Sequence, residues 1–151
     1  MNTRALTTMS TFAVAFAASM PAIAGPSCSN ATIRGIYMFT CEGLLSPAPG
    51  APLLPTRSLG TCKSNKAGFV TCEGRVNLNG TILIQDLVGN SQTEADCTGD
   101  VHYDQKINGQ PAGQLNAHYV VRDNGDSING LPTDPGQVLS CTLKRLSHDD
   151  H

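Results

Sequence analysis

The chain predicts an all-β domain: a small antiparallel up-and-down barrel, with a β-sandwich as the alternative, stabilised by disulfides. Three observations carry that prediction. Short runs rich in Val, Ile, Leu, Thr and Tyr alternate in polarity with period two, turn dipeptides recur at hairpin spacing, and no segment shows a 3.6-residue apolar period. All six cysteines fall after residue 24, and an even count in an exported chain reads as a disulfide framework.

Export is expected from the N-terminus. Arg4 precedes the apolar run Phe12–Ala18, and Ala22-Ile23-Ala24 supplies small residues at a cleavage site. Residues 1–24 are therefore expected to be a signal peptide and 25–151 a single domain, periplasmic or secreted, with a flexible tail over 147–151. No stretch supplies the roughly 20 apolar residues of a spanning helix, so no membrane span is expected. Acidic residues number 12 against 10 basic, one of them Arg4 in the leader. Nucleic acid is thereby disfavoured as a partner, since its binding rests on clustered Lys and Arg. Beyond the leader the aromatics are Tyr37, Phe39, Phe69, Tyr103 and Tyr119, with no Trp, few for stacking on bases.

In chain order, Thr32–Glu42 predicts a first strand, with Ile33, Tyr37, Phe39 and Cys41 on one face. Gly43–Ser58 contains Pro47, Pro49, Pro52 and Pro55 and predicts a long loop, because proline removes ladder donors. Its Leu44, Leu45, Leu53 and Leu54 either plug a barrel end or offer an apolar patch to a protein or lipid-like ligand. Leu59–Ser64 and Phe69–Leu78 predict a hairpin around Asn65–Gly68. Placing Ser64 opposite Val70 sets Cys62 against Cys72, close enough for a bridge. Asn79-Gly80 turns the chain into a strand over Thr81–Val88, followed by a loop or irregular strand to Ala95.

Cys97–Ile107 and Gln114–Arg122 predict a hairpin through Asn108–Gly113. With Ile107 opposite Gly113, Val101 meets Tyr119 and His102 meets His118. Asn124-Gly125 predicts a two-residue type I′ turn, and Asp134-Pro135-Gly136 a type II turn before the last strand. Glycines are expected at strand ends and turns.

The elements ATIRGIYMF, ADCTGDVHY, VVRDNG and LPTDPGQVLSCTLKRL, which cover most of residues 28–146, carry a resemblance. They resemble a group of small exported bacterial proteins of uncharacterised function, with G-x-Y-x-F, D-C-T-G and T-D-P-G-x-V signatures. The resemblance implies a closed barrel similar to the allene oxide cyclase or dirigent type, and no catalytic residue. It also implies a Cys28–Cys97 disulfide, the group's own pair. Cys41, Cys62, Cys72 and Cys141 are departures from that pattern. With Cys62–Cys72 assigned to the hairpin, Cys41–Cys141 follows, since first and last strands meet when a meander closes.

Candidate chemistry is sparse. His102 and His118, flanked by Asp100 and Asp104, could hold Zn²⁺ or Cu²⁺; the plain alternative is a polar strand face. His148-Asp149-Asp150-His151 has ligand types on a terminus. Glu42 and Glu73, in a repeated Thr-Cys-Glu-Gly, would act as an acid/base pair only if they faced one another. Asn30 and Asn79 head glycosylation patterns. No nucleophile elbow or phosphate-binding Gly loop occurs. The leading expectation is a non-enzymatic binding or interaction protein without a cofactor, for a protein or small apolar ligand. A barrel enzyme of the cyclase or isomerase kind, or a metal-binding module, are the alternatives.

Overall fold

In a computed structural model, which describes residues 27–148, eight strands close into one antiparallel barrel in sequence order. They are β1 Gly35–Leu45, β2 Leu54–Ser64, β3 Phe69–Leu78, β4 Thr81–Thr93, β5 Thr98–Ile107, β6 Gln110–Arg122, β7 Ser127–Pro132 and β8 Gln137–Ser147. β1 pairs with both β2 and β8, so no long sheet edge is left open. Among these residues no helix is long and apolar enough to cross a membrane. The signal peptide expected over residues 1–24 and residues 149–151 of the expected flexible tail lie outside the described residues.

Alternation decides which side chains enter the barrel. Tyr37, Phe39, Cys62, Val70, Cys72, Leu87, Val101, Tyr119 and Ile128 are buried, while their sequence neighbours face out. The hairpin β2–β3 sets Ser64 against Val70 and Cys62 against Cys72. Its turn is fixed by Asn65, whose Oδ1 accepts from the Ala67 and Phe69 amides. Asn79-Gly80 turns with φ of +47° and +93°, as a tight hairpin requires.

Several sequence expectations are corrected. The first strand begins at Gly35 rather than Thr32, because Thr32 and Arg34 donate to Ser29 and Ala31 in a turn. The proline-rich loop is shorter than Gly43–Ser58. Leu44 and Leu45 end β1, Leu54 and Pro55 begin β2, and only 46–53 connect them. Pro55 is tolerated because it stands at the start of its strand. The strand over Thr81–Val88 runs on through the polar stretch to Thr93, carried by pairing with β5 from Gln85/Ile107 to Thr93/Gly99.

The β5–β6 register differs by two residues from the predicted one. Val101 faces Ala117, His102 faces Asn116, and Asp100 faces His118. Asn108-Gly109 makes the turn by itself, at φ +50° and +76°, and the surplus residue is absorbed by a bulge opposite Gln105, where Gly113 has φ +92°. A two-residue slip leaves every side chain on its original face, so Val101, Tyr103, Ala117 and Tyr119 still point inward. Asn124-Gly125 is not a two-residue hairpin. Asp123, Asn124 and Gly125 all have positive φ in a 3₁₀ turn, with Arg122 opposite Ser127.

Three disulfides join Cys28–Cys97, Cys41–Cys141 and Cys62–Cys72, and no cysteine is free. Such crosslinks are compatible with an oxidising environment. Cys28–Cys97 ties the segment 27–34 over one end of the barrel, where Asn30 Oδ1 accepts from the Thr93 amide and Ile33 is buried. Arg145 completes this end. Its guanidinium donates to the Tyr37 hydroxyl and the Thr32 carbonyl, and lies 5.4 Å from the Tyr37 ring centre. Tyr37 in turn donates to the Gly125 carbonyl.

Candidate functional site

The inner face alternates large rings with very small residues, and that contrast shapes the lumen. Phe39 from β1 lies over the paired Gly60 and Gly74 of β2 and β3. A Cβ at Gly60 would come 2.6 Å from the Phe39 ring, and one at Gly74 2.7 Å from it. Gly99 accommodates the Tyr119 ring in the same way. These glycines stand inside strands, contrary to the expectation that glycines mark ends and turns. Their role is space, since they let an aromatic ring lie on the neighbouring backbone.

What the rings do not fill is a cavity of about 140 Å³ inside the barrel. Its walls are mainly aliphatic, aromatic and disulfide sulfur, with Ser58, Ser64, Gln85 and Ser91 as the non-aromatic polar side chains, and no charged residue lines it. Tyr37, Tyr103 and Tyr119, the only tyrosines of the chain, all line it. The Tyr103 hydroxyl lies 3.9 Å from Cys72 Sγ. Because that sulfur is in a disulfide, the phenol is the donor. The Tyr119 hydroxyl bonds Thr93 Oγ1 at 2.8 Å.

Burial raises the pKa of all three phenols, since desolvation disfavours the phenolate. Arg145 partly offsets this at Tyr37, and the Thr93 hydroxyl does so at Tyr119. The linkage has a definite sign. Above the ordinary value of 10.0 the unfolded chain loses phenolic protons that the folded chain keeps, so stability falls as pH rises past 10. Absorbance at 295 nm is expected to show tyrosinate only as far-UV structure is lost, and Tyr103→Phe should flatten the stability decline above pH 10. Tyrosinate forming at pH 10 in folded protein would contradict the burial argument.

The wall has one weak seam. β7 pairs with β8 only from Ser127/Lys144 to Gly130/Cys141, although β7 continues to Pro132 against β6 and β8 starts at Gln137 against β1. The turn between them is drawn two ways. Asp134 accepts from the backbone and side-chain amides of Asn116 on β6, while the Gly136 carbonyl accepts from Ser46 beyond β1. Leu131, Pro132 and Leu139 line the cavity where the strands part, and Leu131 is 53% exposed.

Polar groups in the lumen are few. Gln85 is buried on β4, and Ser91 Oγ donates to the Gly68 carbonyl. Ser64 is 4% exposed, lines the cavity, and its Oγ has no hydrogen-bond partner in the protein. Gln137 Oε1 is likewise buried and unpartnered, but lies outside the cavity lining.

The other sequence candidates lie elsewhere. His102 and His118 are not opposite one another. The two-residue register difference gives His102 Nδ1 to Asn116 Oδ1 at 2.6 Å and His118 Nδ1 to Asp100 Oδ1 at 2.9 Å. Asp104 pairs across to Gln114. Among the described residues no three His, Cys, Asp or Glu are grouped to hold a metal, and the predicted cross-strand pairing of His102 with His118 does not occur. Glu42 and Glu73 point outward on different strands; Glu42 meets Arg57 at 3.7 Å, with both side chains exposed. They do not face one another across the lumen. Leu44 and Leu53 face solvent, while Leu45 and Leu54 are half-buried opposite each other at the end of β1 and start of β2. None of the four lines the cavity. His148 is exposed beside Arg145, and the rest of the terminal ligand set lies outside the described residues. Asn30 and Asn79 serve a backbone bond and a turn.

Sequence reasoning singled out neither the cavity nor Ser64. The signal was present as Gly and Ser recurring at inward positions of alternating strands, but it needs the closed register to be recognised. The chain matches no family model, no curated protein and no solved structure.

Proposed function

We propose that this is an exported, non-enzymatic binding protein whose barrel takes up one small apolar molecule. The observation that carries the reading is the lumen cavity of about 140 Å³, walled mainly by apolar side chains and free of charge. An apolar cavity of about 150 Å³ elsewhere is large enough to stay dry and admit benzene. The match in size sets the ligand at one six- or seven-carbon ring. The β7/β8 seam is the access route, because parting Leu131 from Leu139 breaks no strand pairing. Three disulfides and the leader-like N-terminus support a periplasmic or secreted setting.

The test is a toluene titration of the oxidised protein, followed by calorimetry and by the proton resonances of Tyr37, Tyr103 and Tyr119. A saturable shift confined to cavity residues is expected. Strictly linear, unsaturable shifts spread over the outer face would sink the reading. A cyclase or isomerase would reveal itself differently: unsaturated ring compounds incubated with the protein would be recovered rearranged rather than unchanged.

A further inference from the structure

We infer that the ligand is a neutral ring compound carrying one hydrogen-bonding oxygen (an alcohol, phenol or ketone) and that Ser64 Oγ receives it. This inference rests on the binding reading above and specifies the chemistry of the same cavity. A plain hydrocarbon would be the natural guess from the walls. Ser64 argues otherwise.

Three features of Ser64 point to the oxygen. It lies on the inner face at the last position of β2, between Gly35 of β1 and Val70 of β3, so its neighbours on either side offer no polar side chain. It is 4% exposed, and its hydroxyl oxygen makes no hydrogen bond within the protein. A buried hydroxyl without a partner is disfavoured, and native structures satisfy nearly all such groups with protein, water or ligand. Apolar residues fill comparable inward positions at Val70, Leu87 and Val101 without this cost. Ser64 lines the cavity, and a serine hydroxyl has three staggered χ1 wells open to it in principle.

The phenols and Ser91 have other engagements, while Ser58 on β2, which also lines the cavity, is only half-buried and so does not carry the cost of a buried unpaired hydroxyl. Tyr37 donates to Gly125 and accepts from Arg145, Tyr119 shares a hydrogen bond with Thr93, and Ser91 donates to Gly68. Tyr103 points to the Cys72 sulfur. A serine hydroxyl both donates and accepts, so it suits an alcohol, phenol or ketone equally. A charged head is disfavoured, because no charged residue lines the cavity to compensate its desolvation.

Phenol and toluene test this directly, since they differ only by a hydroxyl in place of a methyl group. Dissociation constants for both are measured by calorimetry on the oxidised protein, on Ser64→Ala and on Gln85→Leu. In Ser64→Ala the ratio Kd(toluene)/Kd(phenol) should fall by about three- to tenfold, the size of one neutral hydrogen bond. Toluene binding should be retained there, which also shows that the variant is folded. An unchanged ratio, with both ligands bound, overturns the assignment to Ser64 and leaves the binding reading standing. A ratio that falls in Gln85→Leu but not in Ser64→Ala overturns it in favour of the Gln85 amide. If neither compound binds the unsubstituted protein, the binding reading and this inference fail together.

Discussion

Replacing Cys41 and Cys141 together by alanine should lower stability by about 4 kcal/mol, more than loss of either other disulfide. The bridge spans a sequence separation of 100 residues, against 69 for Cys28–Cys97 and 10 for Cys62–Cys72. Crosslinking restricts the unfolded chain more as the closed loop lengthens. The chain-entropy relation gives about 4.7, 4.4 and 2.7 kcal/mol in that order. Position strengthens the ranking. Cys41 and Cys141 are directly opposed on β1 and β8, the pair of strands that closes the barrel, and β8 has only short pairing with β7 on its other side. The short hairpin β2–β3, by contrast, is already held by its turn and continuous pairing from Thr56/Leu78 to Ser64/Val70. Calorimetry of the three double-alanine variants should show the largest drop in Tm for Cys41/Cys141, on the order of 10–20 °C. An equal or larger drop for Cys62/Cys72 would refute the ranking.

The cavity extends the same reasoning to function. Cys41 and Cys141 line it, as do Gly130 and Leu139 just beside them at the seam. The disulfide therefore ties β8 to β1 at the level where the β7/β8 ladder ends, at Gly130/Cys141, and β7 and β8 are unpaired only beyond that level. A lumen built this way combines a rigid wall with one yielding edge.

Much of the fold could be read from local signals, and the reason is topological. Every connection from β1 to β8 joins neighbours, so a turn dipeptide and an alternating run suffice to define each hairpin. Asn65–Gly68 placed Cys62 against Cys72 because a turn over those four residues sets Ser64 opposite Val70 and so fixes the register. The misread hairpin at Asn108 shows the limit. Both candidate registers preserve inward Val101 and Tyr119, so hydrophobic patterning could not choose between them; the bulge at Gly113 did. That two-residue difference also dissolved the His102/His118 pair, because cross-strand chemistry depends on register while burial depends only on face. The cavity was less legible still. It is a deficit of volume summed over strands as distant as β2 and β7, and Ser64 has meaning only once its neighbours are known to be Gly35 and Val70.

Arg145→Ala should cost about 3 kcal/mol and loosen one end of the barrel selectively. The side chain is 7% exposed although it carries a full charge, and its partners explain how that is sustained. Nη2 donates to the Thr32 carbonyl at 2.6 Å and to the Tyr37 hydroxyl at 2.7 Å, and Nε lies 3.1 Å from the same hydroxyl. Truncation leaves the Thr32 carbonyl and the Tyr37 oxygen without their donor in a site where Tyr37 is 1% exposed. Hydrogen bonds to a charged group are worth about 1.5–3 kcal/mol each, but they share one donor group and do not add. The ion pair with Asp126 adds little, since that carboxylate is 67% exposed and 3.4 Å away. Asp126→Asn should therefore be nearly silent, and Tyr37→Phe intermediate at about 1–2 kcal/mol. Guanidinium denaturation with the disulfides intact ranks the three variants, and hydrogen exchange locates the effect. Amides of residues 28–34, and Gly125 with its neighbours, should exchange faster in Arg145→Ala while the β2–β3 hairpin stays protected. A uniform loss of protection would mean that Arg145 supports the barrel as a whole. Faster exchange confined to the end that it spans would identify this guanidinium as the clasp holding the N-terminal segment across the lumen, on the side away from the loop over 46–53.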